Sequence, residues 1–377
     1  MPTNAIDART AEILDGIRSW VEIESQTADV VGVNRMMDKA SADWTALGAN
    51  VERIPGRDGR GDHLLVSSPW GGDGPGIGIL CHLDTVHPKG TLAHDLPFRI
   101  DGDKAYGPGI YDMKGGAYLA LAAYREIVGA GRKTHLPLRF LYVADEEVGS
   151  LTSRTHIEAL GRRSKYVLVT EPARDGGRVV TARKGVGRYV MRAHGRPSHS
   201  GSRHQEGRSA ILEIAHQVIA IEAMTDYERG VTFSIGQIKG GTADNVRPAF
   251  CEASIDMRVA SVADGREYDA RLRALQAMVP DVRLEIEGGL NRPPYEKNAG
   301  VSRLLAHARQ LAAEIGLTLE DVATGGGSDG NFTAETVPTL DGLGVDGEGA
   351  HTLEEHLLIS SILPRMMLQK RLMETLQ

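Results

Sequence analysis

The sequence predicts an α/β fold: a mostly parallel sheet with helices on both faces, interrupted by a smaller inserted α+β domain. Three observations carry this. Strand-like and helix-like stretches alternate over the first 170 residues, which favours a parallel sheet covered by helices. Near residue 180 the rhythm changes to short strands grouped around single helices, and after about residue 291 it returns to that of the first segment. A chain of 377 residues also has room for two or three domains of about 150 residues each.

Taken in order, Ile6, Ile13, Leu14, Ile17, Trp20 and Val21 follow the three-and-four spacing of an amphipathic helix, and residues 36–47 repeat it. Strands are expected at 63–67 and 76–81, then a helix at 114–128, a strand at 138–144, a helix at 153–160 and a strand at 166–170. In the middle segment 179–182 and 188–193 read as strands, 209–224 as a helix, 231–238 and 248–259 as strands, 268–278 as a helix and 282–286 as a strand. The last segment holds a helix at 301–315, the turn Gly325, Gly326, Gly327, an apolar strand at 337–343 and a closing helix at 353–372. The expected organisation is a discontinuous larger domain, 1–178 plus 292–377, with the smaller domain inserted at 179–291. No tandem repeat is visible.

Composition narrows the function. Lys and Arg total 43 against 50 Asp and Glu, a net charge of −7 with no polybasic tract, which argues against a nucleic-acid partner. No apolar run approaches the roughly 18 residues that a membrane span needs, so no membrane role is expected. Acidic residues occupy the N-terminus where a signal peptide would carry basic and apolar regions, so a cytoplasmic location is expected. Two cysteines, Cys81 and Cys251, fit a reducing compartment. The 45 glycines cluster around short polar motifs, the pattern of turns that bring backbone close to something.

Those motifs collect at strand ends. The strand ending at Cys81 runs into His82-Leu83-Asp84, and the two-residue period puts His82 and Asp84 on one side. A histidine held by a carboxylate is a metal ligand of fixed tautomer, although a hydrogen-bonded loop histidine has the same pattern. Asp112 lies in a glycine-flanked stretch, 107–116, at the start of a predicted helix, where it reads equally as an N-cap. Asp145, Glu146 and Glu147 follow a buried strand, and Glu171 follows the next one. A charge run is usually a solvated face, but the carboxyl ends of parallel strands are where α/β proteins bind ligands. His351 follows the Gly-rich stretch 342–349.

Jointly these motifs resemble the metallopeptidase family that includes bacterial glutamate carboxypeptidase, acetylornithine deacetylase and succinyl-diaminopimelate desuccinylase, which carry two zinc ions per active site. The matching strings are CHLDTV, KGTLAHDLPFRIDGDKAYGPGIYDMKGG, DEEVGS, TEPARDGG, GRPSHSG, NVRPAF with DMR, GGGSDGN and GAHTLEEH, in family order from about residue 80 to the end. The stretch from Lys89 to Gly116 is most similar to the glutamate carboxypeptidase branch.

The resemblance implies that Asp112 bridges two Zn²⁺ ions, with His82 and Glu171 on one and Glu147 and His351 on the other; Co²⁺ or Mn²⁺ would suit the same ligands. It makes Glu146 the general base and Asp84 the residue that orients His82. It implies a cis peptide after Asp112. The inserted module corresponds to a ferredoxin-like lid or dimerisation domain, so a homodimer through 179–291 is expected, with His199 supplying an oxyanion donor across the interface. Asn245, Arg258 and Arg292 match positions that hold the substrate's carboxylate-bearing portion, and Gly326, Gly327 and Ser328 would bring backbone N–H groups to it. Ser328 reads equally as a helix N-cap. One departure stands out: the residue before the bridging aspartate is usually small, and here it is Tyr111, which would either narrow the pocket, stack on a ring or simply pack.

The implied activity is hydrolysis of an amide joining an acyl or peptidyl group to a C-terminal amino acid with a free carboxylate. The alternatives on the same site are an N-acyl amino acid deacylase, an aromatic-conjugate amidohydrolase and an aromatic aminohydrolase. A non-catalytic binding protein of this fold would be expected to have lost a ligand or the base, and none is missing.

Overall fold

The computed structural model describes residues 6–377; residues 1–5 of the expected larger domain lie outside the described residues. Along the chain run α1 (Ala8–Val21), α2 (Val30–Ala46), β1 (Asn50–Ile54), β2 (His63–Ser67), β3 (Gly76–His82), α3 (Gly115–Gly129), β4 (Leu138–Val143), α4 (Arg154–Arg162) and β5 (Ser164–Val169). Then come β6 (Gly185–His194), α5 (Ala210–Glu222), β7 (Thr232–Gly240), β8 (Phe250–Val259), α6 (Val262–Arg273) and β9 (Arg283–Arg292). The chain closes with α7 (Ala299–Glu314), β10 (Thr339–Leu340) and α8 (Ile359–Thr375).

The larger compact unit takes the residues up to Ala182 together with Lys297–Ala323 and Ser328–Gln377. Its six-stranded sheet has the order β1-β2-β4-β3-β5-β10. β4, β3, β5 and β10 pair parallel, and only β2 runs against its neighbours. The two-residue period sorts the side chains. Ile77, Ile79 and Cys81 of β3 and Leu138, Phe140 and Tyr142 of β4 join one core with α1, α2, α3, α7 and α8. Leu80, Leu141, Val143, Val167 and Val169 join another with Ile157 and Leu160 of α4. Helices therefore cover both faces, and each fully buried Leu, Ile or Phe contributes about 1.5–3 kcal/mol.

Several elements differ from the sequence reading, three of them instructively. β1 was not expected, because only its pairing with β2 distinguishes so polar a strand from a loop. The 337–343 strand shrinks to β10. The closing helix begins at Ile359, since His356–Leu358 pairs as a strand with Lys104–Tyr106.

The smaller unit spans Arg183–Glu296 and Thr324–Gly327. Its antiparallel sheet has the order β7-β8-β6-β9, with α5 and α6 packed on one face, the ferredoxin-like βαββαβ arrangement. Met191, Phe233, Ile255, Met257, Tyr268 and Leu272 are central in that core. Val179–Arg183 pairs with Asp321–Thr324 in a separate two-stranded sheet, which moves the first division from 178 to 182. Among the described residues no helix is long and apolar enough to cross a membrane.

Candidate metal centre

The carboxyl ends of β3, β4 and β5 bring the acids and one histidine together. His82 ends β3 and is buried; its Nδ1 lies 2.9 Å from the carbonyl oxygen of Asp84. If Nδ1 carries the proton, the Nε2 lone pair faces the acids, with Asp112 Oδ1 at 3.2 Å and Glu171 Oε1 at 3.7 Å. The Asp84 carboxylate is 3.6 Å from Nδ1 and accepts hydrogen bonds from Thr27 Oγ1 (2.7 Å), Glu146 N (3.2 Å) and Glu147 N (3.3 Å). Its main grip is thus on the turn Glu146–Val148 that follows β4.

Asp112 sits in the turn Ile110–Lys114 before α3, and the Asp112–Met113 peptide is cis. Glycine permits this turn. Gly109 has φ 72°, and a Cβ on Gly116 would collide with the carbonyl oxygen of Thr170, so the start of α3 lies directly against the end of β5. The Asp112 carboxylate is shared between two imidazoles: Oδ1 is 3.2 Å from His82 Nε2 and Oδ2 is 3.4 Å from His351 Nε2. His351, half-exposed in a loop with φ 65°, also lies 3.1 Å from Glu147 Oε2. Glu147 Oε1 is buried with no hydrogen-bond partner. Donor atoms of His82, Glu146 and Glu171, and of His82, Asp112 and Glu147, each form a group that could hold a metal ion.

The electrostatics fit a cation. Burial alone would push the His82 imidazole down, yet its hydrogen bonds to Asp112 and Asp84 hold it well above its usual value. Hydrogen bonds to Asp112 and Glu147 raise His351 to about 11. Asp112 feels the same burial, but hydrogen bonds to His351 and His82 keep its carboxyl far below the usual range, while burial pushes Glu147 up. Metal binding needs unprotonated imidazoles, so at this cluster it would compete with protons.

Two residues without an assigned role support this loop. Glu355 is buried and accepts from Gly109 N (3.0 Å), Tyr111 N (3.0 Å), Asp112 N (2.9 Å) and, at 2.5 Å, the Nε2 of His87. Tyr111 is buried, and its hydroxyl donates to the Ala173 carbonyl at 2.5 Å, tying the Asp112 turn to the segment after Glu171. It packs, and does not face a ligand as a free ring.

The remaining expected site residues fall elsewhere. In the smaller unit, His199 Nδ1 accepts from Gly201 N (3.1 Å) and Ser202 N (3.2 Å), and Ser200 N donates to the Asn245 carbonyl at 2.9 Å, so His199 and Asn245 are neighbours. Arg258 already spends its fork on Asp256, at 2.7 and 3.0 Å. Arg292, buried at the end of β9, lies against Gly327. Gly326 accepts from Arg183 through its carbonyl at 3.2 Å. Of the two readings of Ser328, the structure displays the cap, and its N–H donates to Asn331 Oδ1 at 2.8 Å. It is fully buried, its hydroxyl donates to Asp341 at 2.5 Å and accepts from Gly330 N at 3.0 Å, and it caps the turn Asp329–Phe332.

Comparison with known proteins adds to this geometry. The sequence matches the profile of Peptidase family M20/M25/M40 over residues 78–375. Carboxypeptidase G2 from Pseudomonas sp. (strain RS-16) is 30% identical over 369 residues, 96% of this chain and 88% of that protein. Succinyl-diaminopimelate desuccinylase from Burkholderia vietnamiensis is 28% identical over 352 residues, 88% of this chain and 91% of that protein. A Bacillus subtilis protein described as a dinuclear metal binding peptidase superposes with a TM-score of 0.70 at 15% identity, covering 98% of this chain and 99% of that one, a likeness of fold.

Proposed function

The chain belongs to Peptidase family M20/M25/M40 and is a hydrolase of that family, and from this premise we propose that it is a two-metal amidohydrolase of the glutamate carboxypeptidase type. It cuts the amide between an acyl or peptidyl group and an amino acid with a free carboxylate, glutamate or aspartate first among them. One observation carries the reading: Asp112 turns one carboxylate oxygen to each of two histidines, beside a buried Glu147 oxygen that no protein group meets.

The donor set suits two Zn²⁺, with Co²⁺ or Mn²⁺ as substitutes: His82 and Glu171 on one side of Asp112, Glu147 and His351 on the other. Two such ions bring +4 against −3 from the three carboxylates. When bound, they polarise the amide carbonyl and acidify a water. Glu146 takes the proton of the attacking water and delivers it to the leaving amine. Asp84 holds the Glu146 and Glu147 peptides, and so aims base and ligand together. His199, whose Nδ1 accepts two backbone N–H groups, carries its proton on Nε2, the form an oxyanion donor needs; such a donor is worth about 3 kcal/mol. By the resemblance, a homodimer through the inserted module brings His199 to the partner's site. Asn245, Arg258 and Arg292 hold the amino acid's carboxylate, for which Arg258 must release Asp256. Two buried free cysteines agree with a reducing, cytoplasmic setting.

The relative described as a succinyl-diaminopimelate desuccinylase supports a second reading on the same metals, an N-acyl amino acid deacylase. Tyr111 no longer favours an aromatic conjugate or an aromatic amine, because its ring is packed and its hydroxyl is bonded. The test is amine release from a panel of N-acyl amino acids by zinc-loaded protein. Glutamate or aspartate release that disappears in Glu146→Gln, at unchanged metal content, is the expected result. Silence across the panel, or turnover retained in the variant, refutes the reading.

A further inference from the structure

The turn that carries Glu146 and Glu147 runs into a residue with an unusual backbone. Ser150 has φ 57°, in the left-handed region that glycine enters freely and that serine seldom adopts. Gly149, just before it, has φ 101° and closes the turn with its N–H on the Glu146 carbonyl at 2.8 Å. A serine stays in such a conformation only where its surroundings hold it there. The backbone of Ser150 is held on both sides: its N–H donates to the Asp145 carbonyl at 2.8 Å, and its own carbonyl accepts the Arg154 N–H at 3.0 Å.

Its side chain is held as well. Ser150 is fully buried, and its hydroxyl donates to Oδ1 of Asp329, a buried residue 179 positions further along the chain. A hydrogen bond to a carboxylate is stronger than one between neutral groups. Asp329 is itself fixed. It opens the turn Asp329–Phe332, which Ser328 caps through its hydroxyl on Gly330 N, while Asn331 Oδ1 accepts the Ser328 N–H. The GGGSDGN string therefore carries a buried carboxylate that meets the far end of the acidic turn, and Asp84 grips the near end through the N–H groups of Glu146 and Glu147.

We propose that Asp329 is a positioning residue for the reaction: by holding Ser150 in the left-handed conformation, it sets the path of the turn 146–150 and so the aim of Glu146. The proposal rests on the reading of Glu146 as the general base, and goes beyond it by giving Asp329 a part in turnover without contact to the substrate. Loss of the hydroxyl–carboxylate bond lets Ser150 relax towards negative φ, which reorients the Gly149–Ser150 peptide and the turn behind it. Proton transfer depends on the distance from base to water, so a displacement on the order of 1 Å lowers the rate without weakening substrate binding.

The test measures kcat, KM and zinc content in the zinc-loaded protein, on the N-acyl amino acid that it turns over fastest. The variants are Asp329→Ala, Asp329→Asn, Ser150→Ala, Ser150→Gly and the double change Asp329→Ala with Ser150→Ala. Asp329→Ala and Ser150→Ala should each lower kcat about 10–100-fold at unchanged KM and zinc content. The double variant should fall no further than the worse single one, because both changes remove the same bond. Asp329→Asn keeps an oxygen that accepts the hydroxyl, and Ser150→Gly adopts the conformation unaided, so each should recover part of the loss. Unchanged kcat in Asp329→Ala overturns the proposal. So do losses that multiply in the double variant, a raised KM at native kcat, or a Ser150→Gly no faster than Ser150→Ala. All of these leave the amidohydrolase reading standing. If Asp329→Ala does not fold, Asp329→Asn in the Ser150→Ala background decides: no further change supports the proposal, and a further fall overturns it. If the native protein hydrolyses nothing, the amidohydrolase reading fails, and amide hydrogen exchange still tests the clamp. Faster exchange at Gly149 and Ser150 in Asp329→Ala, with β3 unchanged, supports it; equal exchange overturns it.

Discussion

Asp84 Oδ1 accepts the backbone N–H of Glu146 at 3.2 Å, while the Nδ1 of His82 lies 2.9 Å from the carbonyl oxygen of Asp84. One residue therefore contacts the histidine through its backbone and holds the peptide of Glu146, the proposed base, through its side chain. This division of labour changes what mutation should do. Asp84→Asn keeps the carbonyl contact to His82 but replaces one carboxylate oxygen with an amide that cannot accept a peptide N–H. Activity should fall about 10–100-fold, the usual effect of a supporting partner at a metal site, with zinc still bound. Loss of both metals in this variant would show instead that the carboxylate acts through His82.

Glu355 makes a second prediction. Its carboxylate serves three backbone N–H groups of the turn 109–112 and the His87 ring. Glu355→Gln leaves at least one buried donor unmatched, at a cost of about 1–3 kcal/mol. Urea unfolding of the metal-free protein should show that loss, and zinc competition should show weaker binding because the backbone of Asp112 is no longer fixed. Unchanged zinc affinity would confine Glu355 to folding.

Tyr111→Phe removes a hydroxyl that donates to the Ala173 carbonyl. A stability loss of about 1 kcal/mol is expected. The relative kcat/KM for aromatic and aliphatic acyl groups should not change, because the ring is buried packing. A selective loss of aromatic substrates would mean that the ring meets them.

The pH dependence of stability has a local source at His63. Burial depresses its pKa, as does the nearby His156, although Asp145 acts in the opposite direction. Nδ1 accepts the N–H of Ala144 at 3.1 Å, which only the unprotonated ring nitrogen does. The unfolded imidazole titrates near about 6.5 and the folded one lower, so the unfolded state binds more protons in between. This contribution is fully present above about pH 6.5 and is lost as the pH falls from there towards the folded value. His63→Asn, whose side-chain oxygen takes the place of Nδ1, should flatten the fall in unfolding free energy between pH 7.5 and 5. An identical slope would remove His63 from the account.

Most of the candidate metal centre was legible in the sequence because of where parallel strands end. His82, Asp84, Glu146, Glu147 and Glu171 each follow an apolar run that became β3, β4 or β5. Asp112 and His351 were not legible in this way, since each sits in a loop that no periodicity places; only the resemblance singled them out as ligands. Glu355 was invisible for a different reason: its partners are N–H groups more than 240 residues away, and a single acid between Glu354 and His356 gives no sign of being buried. Ser328 was left between two readings. A serine after three glycines suits a substrate loop and a cap equally, and its burial with Asp341 decides for the cap. Arg258 was read without Asp256, although the two-residue period already put both on one face of β8.

The central claim is that Asp112 bridges two metal ions. Anomalous diffraction at the zinc edge from crystals of the zinc-loaded protein tests it most directly. Two peaks are expected, about 3.5–4 Å apart on either side of the Asp112 carboxylate, one beside His82 and Glu171 and the other beside Glu147 and His351. A single peak, or two peaks that do not share Asp112, would contradict it.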